Sequence, residues 1–309
     1  MDPANPFYRQ LSLLVQLLPI VGHQTCFALK GGTAINLFVR DLPRLSVDID
    51  LAYLPMANRD QALAGIDSAL KAISAEIDQR LPECRVTAQP DRETGTLLKL
   101  GIARPDAMVK IEVTPVLRGA VYEPETRAVR SSVEARLGFA EVLLLSFNDL
   151  YAGKLCATLD RQHPRDLYDT LLLLDNEGIS RDLIRAFIVY LIGHNRPMGE
   201  LLAPRAKSLA GVYESEFRGM AFDDVGIDRL EATLPRLVDT LHDSLTDADR
   251  AFLLSFKEGD PDWARLGLPH IEQLPSVRWK LLNLDRMDKN KRREAIGNLE
   301  AVLFGGKRT

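Results

Sequence analysis

Two carboxylates separated by one residue carry the strongest chemical signal in this chain. Asp48 and Asp50 alternate with apolar residues over positions 45–51, and a period of two is typical of a β-strand. Both carboxylates then project from one face, where they repel each other unless a cation lies between them. Mg²⁺ or Mn²⁺ suits that position because it prefers carboxylate and phosphate oxygens. The alternative is a solvated polar strand edge.

A glycine pair lies upstream of the carboxylates, in the sequence Lys30-Gly31-Gly32-Thr33. It follows a short apolar run, so we expect a strand that opens into a helix with Thr33 as its N-cap. Glycine lets the backbone approach a ligand closely, and a helix N-terminus offers unpaired N–H groups and a partial positive charge. Both features favour phosphate oxygens, and the Thr33 hydroxyl and the Lys30 charge add to them. Taken alone, such a turn is more often an ordinary glycine-rich turn.

A third carboxylate, Glu112, lies in a strand candidate over residues 108–113, with Lys110 on the same side. If this strand neighbours the first, Glu112 bridges two metal ions. In such a site one ion activates an attacking hydroxyl and the other holds a triphosphate. A surface strand that carries a Lys–Glu pair is the alternative.

Two charged residues in helical segments are further candidates. Lys154 lies in a predicted helix over residues 147–159, and Asp166 opens another over residues 166–176. Lys154 is also explained as a surface lysine, and Asp166 as a carboxylate that the helix dipole stabilises. A catalytic aspartate must lie within about 3 Å of the hydroxyl that it deprotonates, which a sequence does not show.

Weaker signals surround these helices. Arg165 either contacts a phosphate or pairs with Asp169. His163 and His194 lack the spacing of metal ligands, so we expect them to be structural or surface residues.

The remaining pattern predicts the elements that position these residues. Antiparallel strands are expected over residues 85–88, 96–102 and 108–113. Helices are expected over residues 6–18, 58–80, 181–192, 227–241 and 246–257. Pro235 should kink or split one of them. The order predicts an α+β fold in which a small mixed sheet with helices, residues 1–135, precedes an α-helical domain, residues 136–309.

Composition excludes several classes of protein. The 309 residues are 46% hydrophobic and 27% charged, with a net charge of −4, which argues against a protein that coats nucleic acid non-specifically. The three cysteines have no metal-ligand or disulfide spacing, which favours a reducing, cytoplasmic compartment. We expect no signal peptide at the start and no membrane span.

One segment is basic although the chain as a whole has a negative net charge. Residues 278–293 contain seven basic and two acidic residues, with Trp279 among them. A basic helix with an aromatic side chain could hold an RNA backbone and stack on a base. The slightly favoured alternative is a solvated helix face with Trp279 in the core.

Four segments in this order resemble a known family. Leu29–Ala34 and Arg44–Leu51 resemble the first motif of polymerase-β-type nucleotidyltransferases. Leu150–Ala157 and Arg161–Leu172 are similar to the lysine-bearing helix and the arginine–aspartate motif of the AbiEii/AbiGii toxins of type IV toxin–antitoxin and abortive-infection systems. The resemblance covers roughly residues 24–175.

The resemblance implies a role for each matching residue. The glycine turn would hold phosphates, Asp48 and Asp50 would bind the metal, and Lys154 would contact the triphosphate. Asp166, contributed with Lys154 by the helical domain, would be a base or a positioning carboxylate. Arg44 and Ser46 would support the carboxylates or contact the nucleotide. The sequence departs from the family pattern in two ways. A threonine follows the glycines where serine is common, and the spacing from Gly32 to Asp48 is long, which predicts a small loop over residues 40–44 near the site.

The implied activity is transfer of a nucleoside monophosphate from an NTP to an acceptor hydroxyl, with release of pyrophosphate. The implied acceptor is the 3′ end of tRNA, and the implied partner is a cognate antitoxin, with no DNA and no membrane involved. A protein acceptor is the first alternative. The second is a non-catalytic protein of the same fold that binds a nucleotide or a partner.

Overall fold

The computed structural model describes residues 6–305, with side chains from residue 8 onward. These residues form a mixed α+β structure that divides into two compact units. Unit 1 extends to Leu150 and includes Met220–Asp223, and unit 2 comprises Tyr151–Gly219 and the chain from Asp224 onward. The sequence-based boundary lies after residue 135, and the assignment of functional domains to residues 1–135 and 136–309 stays a prediction.

Unit 1 is built on one seven-stranded sheet with the strand order β3-β4-β5-β2-β1-β7-β6. The strands are β1 Phe27–Lys30, β2 Asp48–Tyr53, β3 Arg85–Pro90, β4 Leu97–Arg104, β5 Ala107–Val113, β6 Glu125–Ala128 and β7 Glu141–Leu144. β2 pairs antiparallel with β1 and parallel with β5, so the expected mixed sheet is confirmed. β3, β4 and β5 form the predicted antiparallel hairpins.

The helices of unit 1 cover this sheet. They are α1 Pro6–Gly22, α2 Gly31–Ala34 with a π-helical turn at Ile35–Val39, α3 Arg59–Arg80 and α4 Ser131–Leu137. α3 begins after Asn58, whose side chain accepts a hydrogen bond from the Gln61 N–H. The apolar stripe predicted for α3, which includes Ile66 and Ile73, is buried as expected.

β6, α4 and β7 are not predicted by any pattern in the sequence. β6 and β7 have only four residues each, too few for an alternating pattern to stand out. β7 nevertheless pairs in parallel with β1 and extends the sheet beyond the glycine turn.

A distant segment also joins unit 1. Met220–Asp223 lies beside the loop that precedes β2, where Ala221 bridges antiparallel to Arg44. The Leu45 N–H donates to the Met220 carbonyl over 2.9 Å, and the Phe222 N–H donates to the Pro43 carbonyl over 3.0 Å. Residues 44–47 therefore lie outside β2, and the prediction that the strand begins at residue 45 is wrong. The backbone of Leu45 pairs with the incoming segment instead.

Unit 2 is helical in its described part. Its helices are α5 Phe147–Arg161, which begins in unit 1, α6 Pro164–Asn176, α7 Arg181–Ile192, α8 Met198–Leu202, α9 Ala210–Glu216, α10 Ile227–Ser244, α11 Asp247–Glu258, α12 Trp263–Leu266, a 3₁₀ turn at Ile271–Gln273, α13 Pro275–Asp285 and α14 Lys289–Phe304. α10 passes through Pro235 without interruption, so a split at Pro235 is wrong, and a kink there stays a prediction. Its buried leucines pack against α6, and the stability gained from their burial exceeds the loss of the one backbone hydrogen bond that proline cannot donate.

Helix length and apolarity also bear on membrane association. Among residues 6–305, no helix is both long enough and apolar enough to cross a bilayer.

Candidate active site

The glycine turn packs directly against the carboxylate strand. Gly31 has a φ of +75°, and a Cβ at this position would lie 2.5 Å from Asp50 Oδ2. A Cβ at Gly32 would lie 2.8 Å from both Arg44 Nη2 and Ser46 Oγ. Real Cβ atoms do not approach other atoms so closely, so a larger residue at either position would force a neighbouring side chain to move, and at Gly31 it would also be strained by the positive φ. The turn and the carboxylates therefore form one tightly fitted unit.

Thr33 has a different role from the expected one. The helical turn begins at Gly31 after Lys30, so the prediction that Thr33 is the N-cap is wrong. The positive φ of Gly31 lets the chain enter the helix two residues earlier. Thr33 is buried, and its hydroxyl donates over 2.6 Å to the Asp48 carbonyl and lies 3.1 Å from Ser46 Oγ. Its side chain thus ties the turn to the start of β2.

Asp48 and Asp50 are both half-buried and alternate on β2, as predicted. Asp50 lies opposite Glu112 on β5 and opposite Lys30 on β1. The Lys30 ammonium also lies 3.3 Å from Thr114 Oγ1. The neighbouring strands therefore place one further acidic residue, Glu112, and one basic residue, Lys30, beside Asp50.

The candidate third ligand has a competing partner. Glu112 Oε1 lies 2.9 Å from the Lys99 ammonium on β4. Within residues 6–305, no three His, Cys, Asp or Glu side chains are grouped so that they could hold a metal ion. Mg²⁺ is commonly held by one or two carboxylates together with substrate phosphates and water, and Asp48 and Asp50 fit that pattern. The bridging role of Glu112 stays a prediction.

The loop before β2 braces the glycine turn. The small loop predicted over residues 40–44 is confirmed and extends to residue 47, with Arg44 and Ser46 both buried. The Arg44 guanidinium donates over 2.8 Å to the Leu45 carbonyl and also reaches Gly32. Leu42, buried in the same loop, has a φ of 54°, a conformation that is uncommon outside glycine. This packing holds an arginine charge against the backbone where phosphate binding is predicted.

Unit 2 contains a buried charge cluster that includes the other two candidates. The Lys154 ammonium lies 2.8 Å from Asp166 Oδ1 and 2.9 Å from Asp169 Oδ2. Arg161 adds a two-pronged contact to Asp166, with Nε at 2.5 Å and Nη2 at 3.0 Å. Lys154 is only 7% exposed, so the alternative of a surface lysine is wrong. We call Lys154, Arg161, Asp166 and Asp169 the charge cluster.

The charge cluster keeps Asp166 ionised. Burial raises the pKa of this carboxyl, but the charges of Lys154 and Arg161 and their hydrogen bonds lower it more, to well below its usual range. A carboxylate held in this way is a weak base. Of the two roles expected for Asp166, the geometry favours positioning over proton abstraction. That the cluster and the carboxylate strand form one active site stays a prediction.

Asp166→Asn should alter how stability depends on pH. Because the folded pKa lies below the ordinary value of 3.8, the ionised carboxylate stabilises the fold above that pH. At pH 6 we expect the free energy of unfolding of the variant to be at least about 2 kcal/mol lower than that of wild type, because the buried ion pair loses one of its charges. This difference from wild type should shrink as pH falls from 5 to 3. Denaturant titrations across that range measure it, with exposed Asp228→Asn as the matched control; a constant difference would contradict the assignment.

The neighbouring residues have structural roles. His163 caps α6, since its Nδ1 accepts a hydrogen bond from the Arg165 N–H, and its Nε2 lies 3.1 Å from Glu216. Burial lowers the pKa of His163 more than the contact with Glu216 raises it. The Arg165 guanidinium lies 3.8 Å from Glu216, whereas Asp169 pairs with Lys154, so the proposed Arg165–Asp169 pair is wrong.

Comparison with known proteins agrees with this arrangement. Residues 12–283 match the family model described as the nucleotidyl transferase AbiEii toxin of type IV toxin–antitoxin systems. The fold is similar to that of MenT4, a nucleotidyltransferase toxin from Mycobacterium tuberculosis H37Rv, with a TM-score of 0.59 and 17% sequence identity over 96% of this chain and 93% of MenT4. No curated protein sequence matches the chain.

The family match spans both the carboxylate strand and the charge cluster, and it confirms the resemblance found in the sequence. The similarity to MenT4 supports the fold independently. The chain therefore belongs to the AbiEii nucleotidyltransferase toxin family of type IV toxin–antitoxin systems, and its activity is nucleotidyl transfer.

Proposed function

We propose that this protein transfers a nucleoside monophosphate from an NTP to a hydroxyl at the 3′ end of tRNA and thereby stops bacterial growth or phage propagation. The acceptor oxygen would attack the α-phosphorus, the bond from that phosphorus to the bridging oxygen would break, and pyrophosphate would leave. The observation that carries the proposal is the fit of Gly31 and Gly32 against Asp50, Arg44 and Ser46.

Each residue has a distinct part in the proposal. The N–H groups of the turn from Gly31 bind the triphosphate. The Thr33 hydroxyl is not used for this, because it already donates to the Asp48 carbonyl. Asp48 and Asp50 would hold a divalent metal, Mg²⁺ in this proposal, which would polarise the phosphate and lower the pKa of the attacking hydroxyl. Arg44, buried beside Gly32, offsets phosphate charge.

The charge cluster supports the site indirectly. Asp166 and Asp169 fix the Lys154 ammonium from two sides, so its position does not depend on solvent. In the proposed reaction Lys154 would offset charge that develops on the leaving pyrophosphate. Asp166 would be a positioning residue that acts through Lys154.

Family membership implies an NTP substrate and an antitoxin partner, and such families use a divalent metal. The choice of tRNA as acceptor rests on the family resemblance of the sequence motifs and on the basic segment of unit 2. A cytoplasmic location belongs to the same proposal, because tRNA and NTPs are found there.

One experiment tests both the chemistry and the acceptor. The protein is incubated with total RNA, Mg²⁺ and each NTP in turn, labelled on either the α- or the γ-phosphate. Transfer of α-label but not γ-label to small RNA is expected, and Asp48→Ala should abolish it. α-Label on protein would identify a protein acceptor instead. No label on any acceptor would contradict nucleotidyl transfer, and unaltered growth after induction would contradict the toxin role.

A further inference from the structure

α13 presents an unusual exposed face. Trp279 is 52% exposed and Leu282, one helical turn later, is 41% exposed. Arg278 and Arg286 flank them and are also exposed. The favoured sequence interpretation, with Trp279 in the core, is therefore wrong, because α13 buries Val277 and Leu284 on its opposite side.

Three further cations of unit 2 lie on α11, α13 and α14. Lys257 on α11 is 7% exposed and has no hydrogen-bond partner in the described chain. The Lys280 ammonium donates over 2.6 Å to the His194 carbonyl, and Arg292 donates to the carbonyls of Leu284 and Glu258. Burial lowers the pKa of Lys257 and of Lys280, and a neighbouring cation lowers each further. Lys257 is therefore close enough to both Lys280 and Arg292 for their charges to repel its own.

These cations have no paired carboxylate in the part of the chain that the structure describes. Among residues 6–305, none of Lys257, Arg278, Lys280, Arg286, Lys289, Lys291, Arg292 and Arg293 forms an ion pair. Asp288, which directly precedes α14, is its N-cap and accepts from the N–H groups of Asn290 and Lys291. A cluster of desolvated cations without counter-charge is unfavourable, and a polyanion would relieve it.

We propose that this surface, formed by α13 and the start of α14 with Lys257 buried beside them, binds the phosphate backbone of the acceptor RNA while Trp279 stacks on an unpaired base. The proposal rests on the proposed function, because it locates the RNA substrate. The cations supply a contact for several phosphates, and an exposed indole beside arginines suits a single-stranded base. Two exposed apolar side chains are too few for membrane insertion or for a stable protein interface.

Binding can be measured without turnover. A fluorescent RNA hairpin with a single-stranded 3′ tail is titrated with the full-length protein in the absence of NTP, at several salt concentrations. The surface variant replaces the exposed residues Arg278, Arg286 and Lys289 with glutamine. The control variant replaces the exposed, unpaired residues Arg85, Arg92 and Arg136 of unit 1 with glutamine, so the change in net charge is the same.

The surface variant should bind at least about tenfold more weakly near 0.1 M salt, and its log–log salt slope should fall by about 2. The control variant should bind almost as well as wild type. Trp279→Ala should weaken binding of the tailed hairpin by about tenfold and should leave a blunt hairpin unaffected. Equal weakening in the surface and control variants, or in neither, would overturn the proposal.

Two further measurements distinguish RNA binding at this surface from membrane binding and from catalysis. If the surface variant loses affinity for phosphatidylserine vesicles but not for RNA, the surface binds membranes and the proposal is overturned. If wild type binds RNA through this surface but transfers no nucleotide, the proposed function is wrong and the proposal of RNA binding at this surface is supported. If the surface variant modifies RNA at the wild-type kcat/KM, the proposal of RNA binding at this surface is wrong and the proposed nucleotidyl transfer to RNA is supported.

Discussion

Asp48→Asn is expected to abolish nucleotidyl transfer and to leave the fold intact. The change removes one of two carboxylates on the same face of β2, while the Asp48 carbonyl that binds Thr33 is unchanged. Loss of a metal ligand removes several kcal/mol of transition-state stabilisation, so the rate should fall at least about a thousandfold. Label transfer from α-labelled NTP measures the rate, and circular dichroism checks the fold.

A second readout tests whether Asp48 supports binding of Mg²⁺ with NTP. Mg²⁺ with NTP should raise the unfolding temperature of wild type by mass action, and this stabilisation should be lost in Asp48→Asn. Without ligands the variant should be at least as stable as wild type, because one like-charge repulsion is removed. Exposed Asp60→Asn is the matched control and should behave as wild type. Full activity in Asp48→Asn would contradict the assignment of Asp48 as a metal ligand.

Gly31→Ala should have the second-largest effect on activity. The new methyl group would lie 2.5 Å from Asp50 Oδ2, and alanine is strained at a φ of +75°. We expect the displaced carboxylate to lower kcat/KM at least about a hundredfold, and the backbone strain to cost about 1–2 kcal/mol of stability. Steady-state kinetics and denaturant titration measure the two effects separately.

Gly95 supplies the control for Gly31. Its φ of +68° imposes a similar strain, but no atom lies within 4 Å of a Cβ built there. Gly95→Ala should therefore lose a similar amount of stability and keep its activity. If Gly31→Ala keeps its activity as well, the contact between the glycine turn and Asp50 has no part in the reaction.

Residues with strong local patterns were predictable from the sequence. Alternation placed Asp48 and Asp50 on one strand face, and the spacing of apolar residues placed α3 with its buried stripe. Asn58 before a long amphipathic run likewise marked the start of that helix. In each of these cases the information lies within a few consecutive residues.

Other features depend on contacts between distant parts of the chain. The strand that begins at residue 48 instead of residue 45 reflects pairing of Leu45 with Met220. The burial of Lys154 depends on Asp169 in the next helix, and the cations around Lys280 include Lys257 from α11. No local sequence pattern predicts these contacts, because each depends on how distant segments of the chain pack together.

The central claim is that the carboxylate strand and glycine turn of unit 1 catalyse transfer of a nucleoside monophosphate. Mass spectrometry of purified tRNA, after incubation with the protein, Mg²⁺ and NTPs, tests it most directly. We predict that wild type adds the mass of one or more nucleoside monophosphates to the tRNA 3′ end and that Asp48→Asn adds none. An unchanged mass of both tRNA and protein with wild type, or an equal gain with Asp48→Asn, would contradict the claim.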